Sequence, residues 1–119
     1  MNSELAEQVG KVPQLYYAGS KSTATLLKDV GFPEARQLLS VEELEHVFRQ
    51  TPHLTDLWLE RSRDQRLAGG WGIEKETGGY RVQNYSGGKG FVVADRCKAC
   101  AEFASRYVGF IGDVLAKWR

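Results

Sequence analysis

The stretch SGGKGFVVADRCKAC, residues 86–100, concentrates the residue types that most often carry chemistry. Cys97 and Cys100 have the C-x-x-C spacing that forms one half of a zinc site, or the whole of a redox pair. Lys89 stands among glycines, as the lysine of a phosphate-binding loop does. Each of these chemistries needs further residues, so the surrounding sequence decides between chemistry and a structural role.

The glycines around Lys89 do not complete a phosphate-binding loop. That loop needs G-x-x-x-x-G-K followed by Ser or Thr, with a strand before it and a helix after it. Here Gly90 follows Lys89, a strand-like run comes next, and no G-x-G-x-x-G fingerprint occurs in the chain. The glycines instead predict a hairpin turn, where glycine adopts positive φ at little cost.

The two cysteines predict structural thiols. His46 and His53 are the only histidines, and their spacing is wider than that of paired zinc-binding histidines. Both cysteines fall on the apolar stripe of the predicted last helix, where a buried cysteine packs as a small hydrophobe. A redox pair is a weaker alternative, because the pattern lacks a thioredoxin-like βαβ unit. We expect no metal and no cofactor.

The histidines also fail to form a catalytic set. A nucleophilic enzyme needs Ser or Cys beside a histidine base and an orienting group. His46 is mid-helix beside Glu45, His53 is at a helix start, and neither belongs to a nucleophile motif. Both are predicted to lie at the surface. We therefore expect that the chain is not an enzyme, with a small enzyme of unfamiliar site as the alternative.

Charge is unevenly distributed, although the net charge is only +1. Residues 34–60 hold six acidic residues against two arginines, whereas residues 61–106 hold nine basic residues against five acidic ones. An acidic helical surface beside a basic strand surface suits a charged partner, and a random mixed surface is the alternative. The candidate partner-binding residues are five acids and one exposed aromatic: Glu42, Glu43, Glu45, Asp56, Glu60 and Tyr85.

The elements that position these residues divide at Gly69-Gly70. Helical patterns precede this point, over residues 21–30, 33–39, from 41 and from 52, while residues 1–19 show no strong pattern and can be irregular. Ser40 and Glu43 spell a capping box. The first half of the chain is therefore predicted to be helical.

Beyond the glycine pair the period changes to that of strands. GWGIEKE, YRVQNY and GFVVAD are separated by glycine turns and predict a three-stranded antiparallel meander. Asp95 then caps a long amphipathic helix, which we expect to pack on the sheet because three strands alone expose too much apolar surface. The fold class is α+β, in a single domain over residues 1–119. The predicted core contains Leu44, Val47, Phe48, Leu57, Trp58, Trp71, Ile73, Tyr80, Val82, Phe91, Val93, Phe103, Tyr107, Ile111 and Leu115.

The hairpins WGIEKETGGYRVQNYSGGKGFVV and the helix DRCKACAEFASRYVGFIGDVLAKW that follows them, in a chain of this size, resemble the small bacterial immunity proteins that neutralise toxins. The resemblance covers about the second half of the chain. It implies a non-enzymatic protein that blocks a cognate toxin, with the acidic helices at 42–60 plugging a basic cleft of the toxin. The N-terminus has no signal-peptide pattern and no apolar run reaches membrane-spanning length, so we expect a cytoplasmic location and no membrane partner.

Other functions stay open at this point. A nucleic-acid-binding or regulatory module would show strongly salt-dependent binding, although we disfavour nucleic acid as the partner. A phage-encoded inhibitor of a bacterial defence complex, or a chaperone for a secreted effector, would show the same sequence features. The nucleic-acid alternative would use the basic residues Arg61, Arg63, Arg66, Arg81 and Lys89.

Overall fold

The computed structural model describes residues 3–19, 22–29, 31–32, 39–64, 71–84 and 89–117. The elements within these residues confirm the predicted α+β class, with helices first, then an antiparallel sheet and a long C-terminal helix. They are α1 Ser3–Gly10, α2 Val12–Ala18, α3 Thr23–Asp29, α4 Val41–Gln50, α5 His53–Asp64, β1 Trp71–Glu76, β2 Gly79–Asn84, β3 Lys89–Val93 and α6 Arg96–Lys117.

The N-terminal segment forms two short helices. In α1, Leu5, Ala6 and Val9 share one face, are buried, and belong to the core cluster. Pro13 lies in the first turn of α2, where its missing N–H leaves no bond unmade. Irregular structure is therefore wrong for residues 3–18. Helices this short are stabilised by packing rather than by propensity, which is why their pattern is weak.

Two predicted helix caps are confirmed. The Ser40 hydroxyl accepts a hydrogen bond from the N–H of Glu43 at 3.1 Å, and donates one to the Glu43 carboxylate at 3.1 Å. At the start of α6, the Asp95 carboxylate accepts a hydrogen bond from the N–H of Lys98 at 2.9 Å. These caps satisfy amide groups that have no partner within the helix.

Other predicted boundaries differ slightly. The pattern over residues 21–30 becomes α3, and Gly31 after it adopts a φ of +74°, as a helix-ending glycine does. The last helix of the N-terminal half begins at His53, one residue after the proline that was expected to open it. The predicted helix over 33–39 lies outside the described residues, apart from residue 39.

The sheet is the predicted meander, in the order β1-β2-β3 with both pairs antiparallel. Ile73 pairs with Val82, and Val82 pairs with Phe91. The turn into β2 requires glycine at position 79, because a Cβ there would lie 2.5 Å from the carbonyl oxygen of Val93. The two hairpins form one sheet because β2 pairs with both β1 and β3.

Trp58 of α5 lies at the centre of the core. Its ring meets Phe48 of α4 and both Phe103 and Tyr107 of α6 edge-on, at centroid distances of 6.5, 6.1 and 5.9 Å. The indole N–H donates a hydrogen bond to the C=O of Gly10 at 2.9 Å. A single aromatic side chain therefore joins α1, α4, α5 and α6.

The core otherwise follows the predicted pattern. Every predicted core residue whose side chain is described lies in the buried cluster or packs against it, while the Leu115 side chain lies outside the description. The α6 helix packs on α4 and on all three strands. Among the described helices, none has the length and apolar character needed to cross a bilayer.

Candidate functional site

The cysteine pair lies on the inner side of α6. Cys100 is fully buried, its thiol lies 3.9 Å from the C=O of Thr55, and burial raises the pKa of this thiol to about 12. Cys97 is half-buried, and burial followed by the charge of Asp95 raises the pKa of its thiol. A thiol with a raised pKa is a weak nucleophile and a weak metal ligand at neutral pH. Cys100 thus has the structural role predicted for it.

The histidines are exposed, as predicted. His46 lies on α4, and His53 is the first residue of α5. Among the described residues, no three His, Cys, Asp or Glu side chains come together as a metal-binding group.

An ion-pair chain connects α4 to the start of α6. Arg49 binds Glu45, one turn earlier on α4, and also binds Asp95 at 3.0 Å. The N–H of Lys98 and then Arg49 stabilise the charged form of Asp95 and lower the pKa of its carboxyl. These groups are largely exposed, so the pairs bridge the two helices but contribute little to stability.

The next residue continues this chain to α5. Arg96 binds the carboxylate of Asp56, and its Nε donates a hydrogen bond to the Thr55 hydroxyl at 2.9 Å. Two donors of one guanidinium thus contact two successive residues of α5. Arg96 thereby orients the largely exposed Asp56 carboxylate, which is one of the residues that line a cleft.

The cleft lies between α5 and the edge of β1 and has a volume of about 670 Å³, within the range of ligand-binding sites. Successive strand residues point to opposite faces of a sheet. Ile73, Lys75 and Tyr80 share one face of the sheet and Glu74 lies on the other, so the cleft extends from that face around the edge of β1. Its lining residues are Asp56, Leu59, Glu60, Ile73, Glu74, Lys75, Tyr80 and Arg96.

Carboxylates outnumber cations in this lining. Asp56, Glu60 and Glu74 are opposed by Lys75 and Arg96; Arg96 is bound to Asp56, and Glu60 and Glu74 also have interaction partners. The lining residues together carry one net negative charge, the sign that attracts a cationic group.

Two of the predicted partner-binding residues come together here. Asp56 and Glu60 are one turn apart on α5 and line the cleft with Leu59 between them. Leu59 and Glu60 lie three and four positions after Asp56 in the sequence, a spacing that already indicates a shared helix face. Glu74, Lys75 and Arg96 are site residues that the sequence does not reveal, because no local pattern shows that α5 lies along the edge of β1.

The other predicted acids lie on α4 and do not line the cleft. Glu43 is engaged with Ser40 in the cap, Glu45 is paired with Arg49, and Glu42 is exposed. Tyr85 lies outside the described residues.

The basic residues proposed for nucleic-acid binding are only partly described. Arg81 makes two hydrogen bonds to the Glu76 carboxylate, at 2.9 and 3.1 Å, so its charge is compensated within the sheet. The side chains outside the description are those of Arg61, Arg63, Arg66 and Lys89.

Aromatic rings of the meander are also engaged within the protein. The Arg106 guanidinium lies 5.4 Å from the Trp71 ring centre and 4.9 Å from that of Phe91, and pairs with Glu102 at 3.2 Å. These cation–π contacts favour a packing role for the two rings over stacking on nucleotide bases.

No protein-family model matches the chain, and no curated protein or solved structure shows significant similarity to it. The resemblance to immunity proteins therefore stays a prediction.

Proposed function

We propose that the protein is a non-enzymatic binding protein that neutralises a partner protein, as an immunity protein blocks its cognate bacterial toxin. The observation that carries this proposal is the cleft between α5 and β1, in which carboxylates outnumber cations. Complementary charge directs association and selects partners. A basic segment of the partner fits this cleft best.

The cleft also offers contact area beside its charges. Leu59 and Tyr80 line it and are both half-buried, so each keeps apolar surface that a partner could cover. Protein interfaces combine such apolar and aromatic anchors with a polar rim. Asp56 is held in place by Arg96, so ordering this acid costs little side-chain entropy on binding.

Growth protection tests the proposal. A toxin encoded beside the gene for this chain is expressed in a bacterial host with and without the chain, and binding of the two purified proteins is measured. The wild-type chain should restore growth. Glu60→Lys should lose protection and weaken the affinity about tenfold, because it places a cation where the partner's cation lies.

The matched control is Glu7→Lys, the same charge reversal at an exposed position of α1. It should protect and bind as the wild type does. Failure of the wild-type chain to protect would contradict the immunity function. Equal affinity of Glu60→Lys and Glu7→Lys would remove the cleft from the interface.

A further inference from the structure

A side chain closes the edge of β1 at one residue. The Ser62 hydroxyl of α5 accepts a hydrogen bond from the N–H of Ile73 at 2.9 Å and donates one to the C=O of Ile73 at 3.3 Å. A neighbouring antiparallel strand would bind a residue through the same two groups. At Ile73, therefore, Ser62 occupies the place of an additional strand.

The next residue along this edge is Lys75. The N–H and C=O of a strand residue point to the same side, and residues two apart point alike. Since Ile73 directs its groups to Ser62, away from β2, Lys75 also directs its N–H and C=O away from β2. Within the described part of the chain, no residue hydrogen-bonds to these two groups. Lys75 lines the cleft, so this donor and this acceptor of the strand edge belong to a residue of the cleft.

We propose that an extended segment of the partner adds to the β1 edge at Lys75, with a basic side chain placed among Asp56, Glu60 and Glu74. This inference rests on the proposed function, because it states how the cleft takes a partner protein. A strand edge is recognised by peptide N–H and C=O groups, so the occupant is a polypeptide. The carboxylates of the cleft favour a basic side chain on the added segment.

The added segment is short, and it can pair with the edge in one direction from Lys75. Ser62 blocks the edge at Ile73, so the segment pairs from Lys75 toward the turn that begins at Thr77. The opposite edge of the sheet provides a comparison. Val82 faces Ile73 without backbone hydrogen bonds, so its N–H and C=O bind those of Phe91 on β3. The N–H and C=O of the next residue, Val92, therefore point away from β2, toward the outside of the sheet. Among the described elements, α5 packs on β1 and not extensively on β3.

Proline substitution separates the two edges. Lys75→Pro removes the N–H that the added segment needs, and proline is tolerated where a strand N–H faces away from the sheet. Val92→Pro makes the same change at the other edge. Lys75→Gln keeps the N–H and removes only the charge, so it controls for the lysine side chain. Thermal unfolding checks that all three variants fold.

The probe is the capped peptide acetyl-Thr-Val-Arg-Val-Thr-amide, with a matched peptide carrying Glu in place of Arg. Binding is followed by backbone amide shifts and hydrogen exchange of the isotope-labelled protein. The arginine peptide should shift the Lys75 amide and slow its exchange. The glutamate peptide should bind about tenfold more weakly than the arginine peptide. Lys75→Gln removes a cation from the cleft and should bind the arginine peptide at least as tightly as the wild type does, whereas Lys75→Pro should bind it about tenfold more weakly than Lys75→Gln, and Val92→Pro should bind as the wild type does.

Three results would overturn strand addition: no binding of the arginine peptide, unchanged exchange of the Lys75 amide at saturation, or equal affinities for Lys75→Pro and Lys75→Gln. The exchange measurement uses the wild-type protein, so it decides the question even if a proline variant does not fold. If Glu60→Lys loses the toxin and Lys75→Pro keeps it, strand addition is wrong and the proposed function stands. If the peptide pairs with the edge but the chain protects against no toxin, strand addition stands and the proposed function is wrong.

Discussion

The indole N–H of Trp58 donates a hydrogen bond to the C=O of Gly10, 48 residues earlier in the chain, at 2.9 Å. Gly10 is the last residue of α1, and the final carbonyls of a helix lack partners within it. The bond therefore satisfies a buried acceptor and holds the N-terminal helices against α5.

Trp58→Phe should lower the free energy of unfolding by about 2–4 kcal/mol, because it leaves a void and an unpaired carbonyl in the core. The control is Trp71→Phe, since Trp71 is only half-buried and packs on Arg106. Urea unfolding followed by far-UV circular dichroism measures both. Equal losses for the two variants would contradict the central role of Trp58.

Ser62→Ala should lower the free energy of unfolding by about 1–2 kcal/mol, because the N–H and C=O of Ile73 lose their partner. The Ile73 amide should also exchange its hydrogen faster. Ser105→Ala, at a half-buried site of α6, corrects for the greater helix propensity of alanine. An Ile73 amide that stays protected in Ser62→Ala would show that another group closes this edge.

Cys100 should make stability fall at alkaline pH. Burial raises its thiol pKa from an ordinary 9.0 to about 12, so between these values the unfolded chain releases the proton and the folded chain keeps it. Unfolding is therefore favoured as pH rises through this window, and the stabilising contribution is complete only below it. Urea midpoints measured from about pH 8 upward should fall less steeply for Cys100→Ala than for the wild type. Parallel pH profiles would contradict a buried, protonated thiol.

Asp95 should make the stability of the fold decrease at acid pH. Its carboxyl pKa is lowered from 3.8, first by the N–H of Lys98 and also by Arg49, so its contribution is present above 3.8 and is lost as pH falls through the lowered value. Asp95→Ala should cost about 1 kcal/mol at neutral pH, and Asp95→Asn less because it still caps the helix. Thermal unfolding of both variants measures this difference, and equal losses would assign the effect to the ion pair alone.

Much of the fold could be predicted because its signals are local. The cap residues Ser40 and Asp95 mark helix starts, and alternation fixes which side of each strand faces α6. The helices α1 and α2 could not be predicted in this way. Their seven or eight residues are too few to be stable alone, so the packing of Leu5 and Val9 on the core decides their structure.

The candidate site was only half predictable for the same reason. Asp56 and Glu60 share a helix face, which spacing shows. Their neighbours Glu74 and Lys75 join them because Ser62 binds Ile73 and brings α5 against the edge of β1. Nor did charge counting show that Arg96 would bind Asp56, which places a base inside the expected acidic surface.

The most direct test of the cleft as the binding site is hydrogen–deuterium exchange of the chain with and without the toxin proposed as its partner. Binding at the cleft should slow exchange along residues 56–60 and 73–75, which contain its lining residues on α5 and β1. Slower exchange confined to α1 and α2, with both of these segments unchanged, would contradict the account.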